Sequence, residues 1–236
     1  MSTGPLGLLG LGFVLGLRHA LDVDHLAAVS TMVTQRRGVV SASLIGAVWG
    51  LGHTAALLAA AVAVIVLRTE IPPRVAGGLE LGVAVMLVGL GLQLLWTLRR
   101  GGTVHVHPHR HGGRHHLHVH VHALGTEGEG HHGVPAVRRP FLVGLVHGLA
   151  GSAALMLAVV GTIPSPGLAF AYVGVFGCGS IGGMVAMSVL LGLPLALAAR
   201  YVGRVERPLR MCAALGSVAA GVAVAWAVVA AGGRSL

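Results

Sequence analysis

The sequence predicts an all-α polytopic membrane protein, with six transmembrane helices in an inverted three-plus-three repeat and a histidine-rich cytoplasmic loop between the halves. Three observations predict it. Hydrophobic residues fill 55% of the 236 positions and charged residues only 10%, a balance typical of helical integral membrane proteins. Apolar runs without charge recur at about the 20-residue length a helix needs to cross the hydrocarbon. The two halves of the chain also match each other locally, in register.

Taken in order, the predicted spans are Gly10–Val33, Val40–Leu67, Val75–Leu98, Pro140–Ile163, Leu168–Leu193 and Leu209–Gly232. They divide the chain into a first repeat at 1–98, a loop at 99–139 and a second repeat at 140–236. The amino terminus lacks a basic n-region and its first apolar run is interrupted by polar residues, so the first span reads as retained rather than as a cleaved signal peptide.

All sixteen basic side chains other than histidine are arginine, giving a formal charge of +9. In a soluble protein this excess would suggest nucleic acid. Here the arginines map to loops, so the expected partner is the bilayer and no nucleic acid is expected. Twelve arginines lie after spans one, three and five, namely 36, 37, 99, 100, 110, 114, 138, 139, 200, 204, 207 and 210, whereas the other side has only Arg68, Arg74 and Arg234. Arginine favours cytoplasmic loops, which puts both termini outside the cytoplasm and the long third loop inside it. Cys178 and Cys212 lack metal-type or redox-type spacing and read as apolar filler.

The internal match pairs Phe13-Val14-Leu15-Gly16-Leu17-Arg18-His19-Ala20-Leu21 with Phe141-Leu142-Val143-Gly144-Leu145-Val146-His147-Gly148-Leu149, preserving Phe, Gly, Leu, His and Leu. Val48-Trp49-Gly50-Leu51-Gly52-His53 resembles Val175-Phe176-Gly177-Cys178-Gly179-Ser180 at nearly the same offset. With three spans per half, the repeats would be inverted in the membrane, an arrangement that puts transporter substrate sites at the repeat interface. His19 and His147 become equivalent positions.

Inside the first span, Arg18-His19-Ala20-Leu21-Asp22-Val23-Asp24-His25 carries five ionisable side chains in eight residues. At about 2.5–3.5 kcal/mol per charge at membrane depth, Arg18, Asp22 and Asp24 represent about 8–10 kcal/mol unless partnered. On a regular helix His19, Asp22 and His25 share one stripe while Asp24 projects elsewhere. If His19 and Asp24 hold one ion, the backbone must loosen between them, which is tolerated only beside a cavity or protein. Two carboxylates against one guanidinium leave a net charge of −1, which a dication would make +1, and imidazole donors mark such an ion as a transition metal rather than magnesium or calcium. Two alternatives stay open: Arg18 pairing with Asp22 or Asp24 as structural glue, and a proton relay without metal.

The string Arg18-His19-Ala20-x-Asp22-x-Asp24-His25 is similar to the signature of the nickel/cobalt transporter (NiCoT) family, whose core is a His, four residues, then Asp-His. Leu51-Gly52-His53-Thr54 resembles that family's second motif. The resemblance implies that His19, Asp24, His25 and His53 take part in metal selection and passage, and it covers mainly the first two spans. Typical family importers have eight spans with the first motif on the second helix, and their later acidic motifs are missing here. The fourth span's Gly144-Leu145-Val146-His147-Gly148-Leu149-Ala150-Gly151-Ser152-Ala153 resembles instead a shorter branch, which includes proteins linked to urease maturation and His-rich nickel/cobalt exporters. That branch implies nickel-enzyme maturation proteins as partners.

His53, mid-span and inside a motif, is expected to be a ligand or pathway residue, and His147, beside Gly148, Gly151 and Ser152, fits either a ligand or a close-packed pore wall. Glycines 174, 177, 179, 182 and 183 give the fifth span a small face suited to tight packing. The third loop holds His105, His107, His109, His111, His115, His116, His118, His120, His122, His131 and His132 without apolar content able to form a core. By composition it reads as a disordered metal-binding tract for capture or buffering.

The expected function is translocation of Ni2+ or Co2+ by a secondary carrier through His19, Asp22, Asp24, His25, His53 and His147, with no prosthetic group. No Gly-x-x-x-x-Gly-Lys loop is present to supply ATP hydrolysis. A membrane sensor or metallochaperone that binds metal through the loop without moving it is the rival reading. A thiol electron carrier would need paired intramembrane cysteines.

Overall fold

The computed structural model describes residues 4–34, 38–67, 72–100, 105–111, 114–120, 134–149, 159–201 and 203–232. Its main helices are α1 (Pro5–His19), α2 (Val23–Val33), α3 (Val39–Leu67), α4 (Pro73–Arg99), α5 (Val134–Gly148), α6 (Pro166–Tyr201) and α7 (Gly203–Gly232). Pro5, Pro73 and Pro166 open their helices, where a missing N–H costs nothing. α3 carries no Asp, Glu, Lys or Arg over its 29 residues. Four segments are long and apolar enough to cross a membrane: Val39–Val66, Pro73–Arg99, Pro166–Pro194 and Arg207–Ala231. A fifth is added if α1 and α2, bent by 57° at their junction, form one broken span. These are the features of a membrane protein.

The predicted spans two, three, five and six thus coincide with apolar helices, and the first with the bent pair. Of the predicted fourth span, α5 covers the beginning, while 150–158 lie outside the described residues. Among the described residues, then, five crossings is the most the helices supply, one short of the six expected.

The break between α1 and α2 follows from local chemistry rather than from proline or glycine. Leu21 N–H donates to Arg18 O (2.9 Å) and Asp22 N–H to His19 O (3.1 Å), a tightened last turn. Asp22 then takes an extended conformation at the start of α2, a position Asp favours. Asp24 follows in the first turn, where a carboxylate suits the helix dipole, and its Oδ1 accepts from the backbone N–H of His25 at 3.0 Å.

α1 packs on α6, α5 on α3, α3 on α6, and α4 on α7. Glycines permit the first two contacts. A methyl at Gly16 would collide with the Phe176 carbonyl and Ser180 N, and one at Gly179 with the Phe13 carbonyl and Leu17 N. Likewise Gly144 faces the Trp49 carbonyl and His53 N, and Gly52 faces the Phe141 carbonyl and Leu145 N. The two clasps correspond to each other under the internal sequence match, which pairs Gly16 with Gly144 and Gly179 with Gly52. Close backbone approach through small residues is how helices associate where lipid offers no hydrophobic driving force.

Two apolar clusters flank the polar cluster of the bundle. One includes Ala28, Val29, Val33, Trp49, Leu87 and Met184. The other includes Leu57, Tyr172, Val173 and Phe176.

The histidine-rich tract departs from the expectation of a structureless chain. His105–His111 pairs antiparallel with Arg114–His120, in a register that sets His105 opposite His120, His107 opposite His118 and His109 opposite His116. Its His-Val-His alternation has the period of a strand, and valine suits one. His122, His131 and His132 lie outside the described residues.

Candidate metal centre

Four histidines distant in sequence converge between the two apolar clusters. His25, His53 and His147 are fully buried and His19 nearly so. His19 ends α1, His25 sits in the first turn of α2, His53 is midway along α3 and His147 is at the end of α5. The His25 ring lies 4.3 Å from that of His19, 5.2 Å from that of His53 and 4.2 Å from that of His147, centroid to centroid. Trp49 stacks near His25 at 5.4 Å and His147 at 5.8 Å, and Phe176 near His19 at 5.7 Å.

The carboxylates fix which ring nitrogens remain. His19 Nδ1–H donates to Asp22 Oδ2 at 2.8 Å and His25 Nδ1–H to Asp24 Oδ1 at 3.1 Å. His147 Nε2–H donates to Asp24 Oδ2 at 3.0 Å. With one nitrogen of each ring protonated, the other carries a lone pair, a tautomer inferred from the network. His19 Nε2 then faces His53 Nε2 at 3.2 Å. Among the described residues, His25 Nε2, His53 Nδ1 and His147 Nδ1 are buried without a hydrogen-bond partner. Each unmatched buried polar atom costs about 1–3 kcal/mol, a cost that an ion bound at His25 Nε2 would relieve.

Donor spacing fits a metal. One nitrogen each from His19, His25 and His53 lie within 4.8 Å of one another, as do donor atoms of Asp24, His25 and His147. With metal–imidazole bonds of about 2.1 Å, the 3.2 Å separation of the His19 and His53 Nε2 atoms corresponds to an angle near about 100° at a shared ion. That angle lies between tetrahedral and square or octahedral geometry.

Of the six residues expected as ligands, five enter these two groups. Asp22 belongs to neither: its side chain is about half exposed (52%) and turned to His19 Nδ1. A continuous helix would have placed it between His19 and His25, and the break removes it from that stripe. Asp22 stands instead where a carboxylate orients a metal-binding imidazole from behind. Arg18 makes no ion pair with Asp22 or Asp24 among the described residues, so the structural-glue pairing does not form; the carboxylates take histidines instead. Sequence reasoning missed Trp49 and Phe176 as walls of the site. Their signal was present, since each precedes a glycine at matching places in the internal repeat.

No family model and no solved structure matches the chain. Among curated proteins the chain is similar to the urease accessory protein UreH of Bacillus sp. (strain TB-90), at 37% identity over 197 residues, which cover 84% of this chain and 81% of that protein. At that identity and coverage, the chain belongs to the family of the urease accessory protein UreH.

Proposed function

We propose that this protein is a secondary carrier that moves nickel or cobalt dications across the cell membrane through the buried histidine centre. The observation that carries the reading is the pairing of His19 Nε2 and His53 Nε2 at 3.2 Å beside the unpartnered Nε2 of His25, all buried in a membrane bundle. Three imidazoles in hydrocarbon form a neutral, borderline-soft trap that suits nickel, cobalt or zinc and discriminates against magnesium and calcium. Asp22 and Asp24 hold His19 and His25 from behind and offset part of the charge of the entering dication. Kinship with a urease accessory protein favours nickel, which urease maturation consumes. The resemblance of the first two spans to nickel/cobalt transporters supports the same reading.

In this proposal the chain crosses the bilayer six times as an inverted three-plus-three repeat. The matched glycine clasps support that count. The arginine distribution sets both termini outside the cytoplasm and the histidine tract inside, where it gathers ions and meets nickel-enzyme maturation proteins. Carriers of this plan expose a midplane site alternately to either side.

Radiolabelled nickel and cobalt flux into proteoliposomes tests it. The wild-type protein moves at least one of the two ions, and His25→Ala and His53→Ala abolish the flux. Binding without flux in the wild type would instead identify a sensor or metallochaperone, and unchanged flux in both variants would overturn the histidine pathway.

A further inference from the structure

The two donor groups share one residue. His25 presents Nδ1 toward Asp24 at 3.1 Å, while its Nε2 is buried and unpartnered on the other edge of the ring. Lone pairs on the two nitrogens of an imidazole diverge in the ring plane, so one ion cannot use both. With Nδ1, the edge beside Asp24, serving the Asp24, His25 and His147 group and Nε2 serving the His19, His25 and His53 group, the two groups offer separate positions for an ion.

We infer that the transported ion occupies two successive stations that meet at His25, the first among His19, His25 and His53 and the second among Asp24, His25 and His147. This rests on the carrier reading and adds an order of ligands to it. In each station two donors stand at the separation of neighbouring ligands around a metal, 3.2 Å for His19 and His53 and 3.0 Å for Asp24 and His147. An ion replaces the hydrogen that bridges each pair in the ion-free protein, its proton passing to the unpartnered Nδ1 of His53 or His147, and at the second station the His25 Nδ1 proton passes to Nε2.

The surroundings repeat as well. Phe176 lies 5.7 Å from His19 and Trp49 lies 5.8 Å from His147. His19 and His147 are matched by the internal repeat, and so are Trp49 and Phe176, so each station has a histidine with an aromatic from the opposite half behind it. Where the first station has His53, the matching position of the second half is Ser180, whose hydroxyl donates to the Gly16 carbonyl at 3.3 Å. The second station draws on Asp24 in its place. The stations consequently differ in kind: three neutral nitrogens in one, two nitrogens and a carboxylate oxygen in the other. Harder, anionic oxygen sets the affinity of the second station apart from that of the first, and His25 passes the ion by exchanging one ring edge for the other.

Cobalt is the probe, because its visible absorption reports the number and type of ligands. Spectra are taken on the full-length protein in detergent, where the histidine tract contributes the same background to every variant. His53→Ala leaves an ion in the second station and His147→Ala leaves one in the first, so their residual spectra differ from each other, and His25→Ala loses both. Cobalt flux in proteoliposomes falls at least tenfold in His53→Ala and in His147→Ala although each still binds an intramembrane ion. His147→Gln, closer in size, gives the same result if the alanine variant fails to fold. Wild-type spectrum and flux in His147→Gln would overturn the second station, and identical spectral losses in the His53 and His147 variants would show one undivided site. Absent wild-type flux, by contrast, defeats the carrier reading itself while the spectra still report one station or two.

Discussion

Replacing Asp22 by alanine separates a carboxylate that orients a ligand from one that is a ligand. Asp22 Oδ2 accepts from His19 Nδ1 at 2.8 Å and makes no capping bond to α2. Loss of such an outer partner lowers metal affinity about 10–100-fold, which is about 1.4–2.7 kcal/mol. The carboxylate is half exposed, so water takes its place at Nδ1 and the effect falls near the tenfold end. Asp22→Asn keeps an acceptor oxygen there and stays close to wild type. The readout is the half-saturating nickel concentration for proteoliposome flux, with the melting temperature in detergent as the control for folding. A rise of about tenfold for Asp22→Ala, with melting nearly unchanged, is expected. A loss as complete as that of His53→Ala would make Asp22 a ligand, and no change at all would mean that His19 needs no orienting partner; either result refutes the reasoning.

Three further outcomes are expected. Gly144→Ala drives a methyl into the Trp49 carbonyl and costs at least about 1–3 kcal/mol, whereas Gly78→Ala, with nothing within 4 Å, gains up to about 1 kcal/mol of helix propensity; equal melting temperatures for the two would contradict the clasp. Deleting residues 105–120 lowers the number of nickel ions bound per chain but leaves the half-saturating concentration for flux unchanged, and a matching loss of flux affinity would place the tract within the pathway. Because only a neutral imidazole coordinates, the number of nickel ions held by the histidine tract at 105–120 falls as the medium is acidified from about pH 7.5 to 5.5; a constant number across that range would show that its histidines are not the ligands.

Much of this arrangement is legible in the sequence because the bilayer leaves few options. Four apolar runs become long helices, and the first becomes a bent pair at the place where His19 and Asp24 need the backbone to loosen. What is hidden depends on that bend. A helical wheel assumes one continuous helix and so places Asp22 beside the histidines, whereas the turn at Ala20–Asp22 swings it outward and brings Asp24 inward. The meeting of Asp24 with His147, 123 residues apart, is a matter of tertiary packing that local spacing cannot express. The internal repeat hints at it by equating His19 with His147, but says nothing of the carboxylate between. In the tract, composition argues against a core and is silent on strand pairing, which needs only alternation.

The glycine contacts decide how each part of the centre is held. α1 is locked to α6 and α3 to α5, so sliding either pair would force backbone through backbone. α2 contains no glycine, and at its far end Val33 touches the open side of Gly192. The short helix is held by side chains instead: Ala28, Val29 and Val33 lie in the apolar core and Ala20, just before it, packs on Gly183. Asp24 and His25 thus owe their place to side-chain packing, whereas His19, His53 and His147 ride on helices clasped backbone to backbone.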